Sequence, residues 1–215
     1  MLMPMDICLI GAGSVSVKSL IPSLLRLRKK TNLINEITVC DVSESTLKKV
    51  KAKYGLKSLY TDYHKALKSK RPDVIIVAVP THLHGKVTID VIEYSEAKGI
   101  FVEKPLTHRL DEALKIKDKV EDHDVALGVI FNLRYIPEVK QAFKLINSNQ
   151  LGNIELIEAI GSTKNPVGTW TKSKWLLKLG PIYDFAPHII DLIRWITASE
   201  PYAVTARKIG EYSYN

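Results

Sequence analysis

Ile7-Cys8-Leu9-Ile10-Gly11-Ala12-Gly13-Ser14-Val15-Ser16 is the stretch that decides the fold. A short apolar run ends at a glycine, and the chain then places Val17, Leu20, Ile21, Leu24, Leu25 and Leu27 at helical spacing across positions 14 to 30. Strand, Gly-x-Gly turn and helix in that order form the fingerprint of a dinucleotide-binding unit. The first glycine makes the tight turn, and the second lets a pyrophosphate approach the backbone. The helix N-terminus then offers N–H groups and the positive end of its dipole to the anion. Gly11, Ala12, Gly13, Ser14 and Val15 are therefore candidate cofactor-binding residues. Ser16 stands where the fingerprint has its third glycine, and is expected only to loosen the contact between helix and strand slightly.

Outward from this turn the same alternation continues. Pro22 should kink the first helix or lie near its start. Glu36 to Asp41 reads as a β-branched strand, and Ser43 as the N-cap of a lysine-rich helix running to about Tyr54. Asp73 to Val79 is apolar at consecutive positions, the mark of a strand covered on both faces. A helix over about Gly85 to Ala97, a strand at Gly99 to Val102, a helix over about Asp111 to Asp122 and a strand at Val125 to Ile130 complete a doubly wound parallel sheet. Ligands of such sheets sit at the carboxyl ends of the strands. Asp41 closes the second strand, where an acid accepts hydrogen bonds from ribose hydroxyls and repels the additional phosphate of NADP. NAD is the expected cofactor. Lys48 and Lys49 could serve a phosphate and keep NADP as the alternative, and Asp41 as a mere helix cap is the structural alternative.

After about residue 130 the texture changes. Tyr135 to Asn149 reads as a helix, Leu151-Gly152-Asn153 as a turn into a strand at Ile154 to Ile160, and Ser162 to Leu179 as a loop. A helix over about Tyr183 to Thr197 and a strand at Ala203 to Ile209 end the chain. The expected organisation is an α/β protein: an N-terminal Rossmann domain over 1–122 and a shortened C-terminal α+β domain over 123–215.

The bulk properties restrict the function classes. With 46% hydrophobic and 25% charged residues in 215, the composition is that of an ordinary globular protein. The net charge of +8 is scattered along amphipathic segments, densest at Arg26, Arg28, Lys29 and Lys30 near a helix end, so a solvated basic face is preferred to a nucleic-acid surface. Cys8 and Cys40 both fall in strands with no metal-ligand spacing, and read as small buried hydrophobes in a reducing compartment. The longest strongly apolar run, Val74 to Pro80, is too short to cross a bilayer, and the N-terminus lacks a secretory pattern. A cytoplasmic protein with no metal, no membrane and no nucleic-acid partner is expected.

Further strings carry a family resemblance. These are Ala78-Val79-Pro80-Thr81-His82-Leu83-His84, Glu103-Lys104-Pro105-Leu106, Asn132-Leu133-Arg134-Tyr135, and Asp184-Phe185-Ala186-Pro187-His188-Ile189-Ile190-Asp191. Together, and in this order, they resemble the glucose–fructose oxidoreductase and inositol dehydrogenase family, the Gfo/Idh/MocA group. The resemblance implies a pyridine-nucleotide oxidoreductase acting on a sugar, cyclitol or related polyol. It also implies that Val79, Pro80, His84, Glu103 and Lys104 face the cofactor, with a cis bond before Pro105. By the family pattern Lys104, Asp184 and His188 carry the chemistry. That agrees with what oxidising a carbinol requires: a base for the hydroxyl proton, which suits a histidine, and a cation beside the developing alkoxide, which suits a lysine. Asp184 and His188, four apart, are expected on one helical face. Arg134, Tyr135, Trp170 and Trp175 are the candidates for lining a substrate pocket.

Members of the family are usually longer, with a large open sheet in the second domain. Leu179-Gly180-Pro181 replaces a glycine-rich run of the family. An open sheet predicts self-association, because an uncovered edge exposes unpaired backbone groups. The competing reading is a cofactor-binding regulator or subunit without turnover; a nucleic-acid-binding role suggested by the charge is a weaker third.

Overall fold

A computed structural model of the chain describes residues 3–148, 150–161 and 181–207. These divide into two compact units: residues 3–131 with 161 and 181–187, and residues 132–160 with 188–207.

The first unit is built on six parallel strands in the order β3-β2-β1-β4-β5-β6, with β1 at Met5–Ile10, β2 at Ile34–Cys40, β3 at Leu59–Tyr60, β4 at Val74–Val77, β5 at Gly99–Glu103 and β6 at Ala126–Ile130. This is the Rossmann order, and its direction reverses between β1 and β4. Register follows the apolar pattern: Ile7 to Ile10 pair with Val74 to Val77 on one side, and with Ile37 to Cys40 on the other. Alternate residues of one strand serve opposite layers, as period-2 geometry requires. Cys8 and Ile10 pack with Ile75, Val77, Ile100 and Val102 against α3 (Tyr63–Lys70), α4 (His84–Tyr94) and α5 (Leu110–His123). Ile7 and Leu9 pack with Ile37, Val39 and Ile76 against α1 (Ile21–Lys30) and α2 (Glu44–Tyr54). Fully burying a side chain such as Leu9 or Ile116 contributes about 1.5–3 kcal/mol.

The helices begin and end where local chemistry dictates. Ser43 caps α2 by accepting the Thr46 N–H, and Gly55, at φ 67°, closes it. Pro22 lies in the first turn of α1, directly after a π-helical turn over Ser16–Leu20 in which the Ile21 N–H reaches back to the Ser16 carbonyl. Proline has no N–H to donate, and it is tolerated in a first helical turn. β3 and α3 were not anticipated. A two-residue strand offers no periodicity to read, but Asp62 was a signal for α3, since its carboxylate accepts the N–H groups of His64 and Lys65.

β6 carries the first unit on to Phe131, beyond the expected boundary at 122/123, and residues 181–187 return to it. In the second unit a 3-10 turn at Asn132–Tyr135 leads into α6 (Pro137–Asn147), starting two residues later than expected. The strand expected at Ile154 to Ile160 does not form. The segment makes no ladder, and Leu156 and Ile160 are exposed. Residues 203–207, the described part of the last expected strand, make none either. A strand exists only through a neighbour's N–H and C=O groups, and among the described residues neither segment has one. The helix expected over Tyr183 to Thr197 is two helices, Pro181–Asp184 and Ala186–Thr197, interrupted at Phe185. No described helix is long and apolar enough to cross a membrane.

Candidate active site

The loops at the carboxyl ends of β1, β2, β4 and β5 converge at the reversal point of the sheet. The Gly11 N–H donates to the Cys40 carbonyl at 2.8 Å, and the Ala78 N–H to the Ile10 carbonyl at 2.8 Å, which ties the three strand ends together. Gly11 has φ 100°, and a Cβ built on it would lie 2.4 Å from the Ala78 carbonyl oxygen, so only glycine lets the two loops close on each other. Gly13 differs: nothing lies within 4 Å of its would-be Cβ. Gly11 and Ala12 are buried, while Gly13, Ser14 and Val15 face out at the head of the first helix, where N–H groups have no preceding helical carbonyl to satisfy them.

Asp41 is held by this turn. Its Oδ2 accepts the Ala12 N–H at 2.8 Å and its Oδ1 the Ser43 N–H at 2.9 Å. The carboxylate therefore sits beside the glycine turn and is half-buried. Ser16 does more than fill the third glycine's place. It is fully buried, and its hydroxyl donates to the Gly11 carbonyl at 2.6 Å, bracing the turn from below.

The loop after β4 leaves Val79 half-buried and Pro80 exposed, then forms a 3-10 turn over Thr81–Leu83 into α4. His84 was expected to face the cofactor. It is instead 2% exposed, with Nδ1 2.7 Å from the Pro105 carbonyl and Nε2 2.8 Å from the Val79 carbonyl, so both nitrogens are spent inside the protein. Burial pulls its pKa below the ordinary histidine value, against the two carbonyls, which favour the protonated ring.

The loop after β5 carries Glu103, Lys104 and Pro105, and the peptide Lys104–Pro105 is cis. Burial raises the pKa of the Glu103 carboxyl, while the neighbouring Lys104 partly offsets the rise. The Lys104 ammonium donates to Asp184 twice, to the backbone carbonyl at 2.7 Å and to Oδ1 at 2.6 Å. The structure thus joins two expected site residues that are 80 positions apart. Asp184 closes the short helix Pro181–Asp184, so the regular helical face expected for Asp184 and His188 is broken by the intervening turn. His188 lies half-buried in the first turn of Ala186–Thr197 and belongs to the second unit.

Within that second unit Arg134 is engaged by Asp191. Nε donates to Oδ2 at 2.7 Å, and Nη2 pairs with Oδ1. Its guanidinium also lies 5.6 Å from the Trp195 ring, which stacks on Phe143 at 3.9 Å. Arg134, expected to bind substrate, here joins the turn before α6 to the helix Ala186–Thr197. Tyr135 is exposed, with the Lys140 ammonium 5.0 Å from its ring. Trp170 and Trp175 lie outside the described residues. No grouping of histidine, cysteine and carboxylate able to hold a metal occurs among the described residues.

Comparison with known proteins agrees with this fold. The sequence model described as "Oxidoreductase family, NAD-binding Rossmann fold" matches residues 5–131, and that of the Gfo/Idh/MocA C-terminal domain matches 139–209. The chain belongs to the Gfo/Idh/MocA family. Among its relatives is a levoglucosan dehydrogenase of Pseudarthrobacter phenanthrenivorans, 28% identical over 67% of this chain and 38% of that protein. Another is the scyllo-inositol 2-dehydrogenase (NAD(+)) of Bacillus subtilis, 27% identical over 79% of this chain and 48% of that one. This Gfo/Idh/MocA chain therefore spans about half or less of the length of those relatives. The scyllo-inositol dehydrogenase of Lactobacillus casei, solved with bound NAD(H) and scyllo-inositol, shares the fold with a TM-score of 0.70 at 17% identity, over 91% of this chain and 56% of that one.

Proposed function

We propose that the protein is an NAD-linked oxidoreductase that moves a hydride between the cofactor and a hydroxyl-bearing carbon of a sugar, cyclitol or related polyol. The single observation that carries the reading is the Lys104–Asp184 pair, on the loop after β5, at the same carboxyl edge of the sheet as the glycine turn after β1. The fit of the cofactor rests on Gly13, where a Cβ would project into open space in front of exposed helix-head N–H groups. Gly11, Ala12, Gly13, Ser14 and Val15 would hold the phosphates, and Asp41 the adenosine ribose, which favours NAD over NADP. Val79, Pro80, Glu103 and Lys104 would line the nicotinamide side. When bound, the cofactor accepts or returns the hydride.

The chain's own residues do the rest. The Asp184 carboxylate and carbonyl fix the Lys104 ammonium in place. The lysine side chain is 18% exposed, so its charge is poorly screened and can stabilise an alkoxide as the carbinol proton departs. By the family pattern His188 would be the residue that takes that proton.

The test measures NADH binding by its fluorescence, then follows reduced-cofactor absorbance with NAD and a panel of sugars, cyclitols and their acids. Binding together with turnover of at least one polyol is expected, and Lys104→Ala or His188→Ala should lose most turnover while still binding NADH. Tight binding with no turnover on any substrate would favour a cofactor-binding subunit, and absence of binding would remove the reading altogether.

A further inference from the structure

The two partners of His84 are both backbone carbonyls, Val79 O and Pro105 O, at 2.8 and 2.7 Å from its ring nitrogens. A carbonyl cannot donate, and a neutral imidazole carries one N–H. One of the two contacts in a neutral ring would set lone pair against lone pair; only the imidazolium can donate at both ends. The ring also joins two loops of the candidate site. Val79 follows β4, and Pro105 follows Lys104 on the loop after β5. We propose that His84 is a positioning residue: it ties the Lys104-bearing loop to the loop after β4 through its two nitrogens, and the second tie is made only when the ring is protonated.

The loop is then held at two points, the Pro105 carbonyl by His84 and the Lys104 ammonium by Asp184. Among the described residues, two other histidines act on the ring. His82 on the preceding turn and His108 on the loop after Pro105 both oppose a charge on it. Glu112 of α5 lies against the adjacent Gly85, with its Oε2 4.0 Å from His108 Nδ1. Burial opposes protonation, so the second tie forms below the ordinary histidine range and the brace is single-ended above it. The contacts of His84 stand without the dehydrogenase reading; only the role of Lys104 depends on it.

The experiment is long-range proton–nitrogen NMR of the full chain labelled with 15N in histidine and backbone amides, titrated from well below to well above about pH 6.5. His84→Gln assigns the ring; should that variant not fold, single replacements of the other histidines assign it by elimination. We expect both His84 nitrogens to become protonated on acidification, and the amide signals of Val79, Lys104 and Leu106 to move with the same midpoint. A ring that never protonates while the protein is folded would overturn the proposal, as would flanking amides that ignore its titration. These signals need neither cofactor nor substrate, so their failure is distinct from failure of the catalytic reading. Where turnover is measurable, His84→Gln should lower kcat by about 10- to 100-fold and leave NADH affinity within about twofold, the effect of a misplaced rather than missing lysine.

Discussion

Replacing Gly11 and Gly13 one at a time by alanine separates folding from cofactor binding, because the two glycines are there for different physical reasons. At Gly11 an alanine must adopt φ 100°, which costs about 1–3 kcal/mol. Its Cβ would also lie 2.4 Å from Ala78 O, 2.6 Å from Ala78 C and 2.8 Å from Val79 N. All three are backbone atoms that cannot swing aside, so overpacking adds about 1–3 kcal/mol. A total of about 2–6 kcal/mol, at roughly 2–4 °C per kcal/mol for a chain of this size, lowers Tm by about 4–24 °C. At Gly13 a Cβ meets nothing within 4 Å, so stability should stay within about 0.5 kcal/mol. The methyl would instead keep a pyrophosphate from the helix-head N–H groups. Loss of one charge-assisted hydrogen bond, about 1.5–3 kcal/mol, weakens NADH by roughly 10- to 100-fold. Differential scanning fluorimetry and NADH fluorescence titration read the two effects separately. Unaltered NADH affinity in Gly13→Ala, or an unchanged Tm in Gly11→Ala, would refute the reasoning.

Three other perturbations test the packing and the electrostatics. Arg134→Met should destabilise the protein by about 2–4 kcal/mol in denaturant titration, since it strands Asp191, which is 3% exposed; an unchanged midpoint would contradict the pairing. Because burial holds the His84 pKa below its unfolded value, the unfolded chain binds more protons in the interval between the two; stability should therefore fall as pH drops through about 6.5, and His84→Gln should flatten that part of the curve. The hydrogen bond with Cys40, 3.7 Å away, and burial raise the Cys8 thiol well above its ordinary value, so an aromatic disulfide reagent should leave Cys8 unmodified at mildly alkaline pH until denaturant is added; fast modification of the native protein would contradict the buried placement.

Much of the first unit was legible without coordinates. The run Ile7 to Ile10 needs apolar residues at consecutive positions because both faces of β1 are covered, and that pattern is visible in the sequence. The same holds for β4, for the Ser43 cap and for the glycine turn, since each depends on residues a few positions apart. Val74–Val77 is shorter than the apolar run suggests: Ala78 still donates to the Ile10 carbonyl, and the chain then passes close against Gly11. The strand expected at Ile154 to Ile160 failed for the opposite reason. Local sequence states a preference, and a strand also needs a partner.

The candidate site divides along the same line. Lys104, Asp184, Asp41 and the glycine turn could be singled out as residue types, but nothing local said that Lys104 would meet Asp184, or that Asp41 would accept the Ala12 N–H. His84 and Arg134 show the limit most plainly. Each resembled a ligand-binding residue, and tertiary packing handed one to two buried carbonyls and the other to Asp191. Periodicity, caps and turn chemistry act over a handful of residues and are therefore written in the order of the amino acids. Which polar side chain is left for a ligand depends on the groups that burial brings to it from elsewhere in the chain, and only the folded structure decides that.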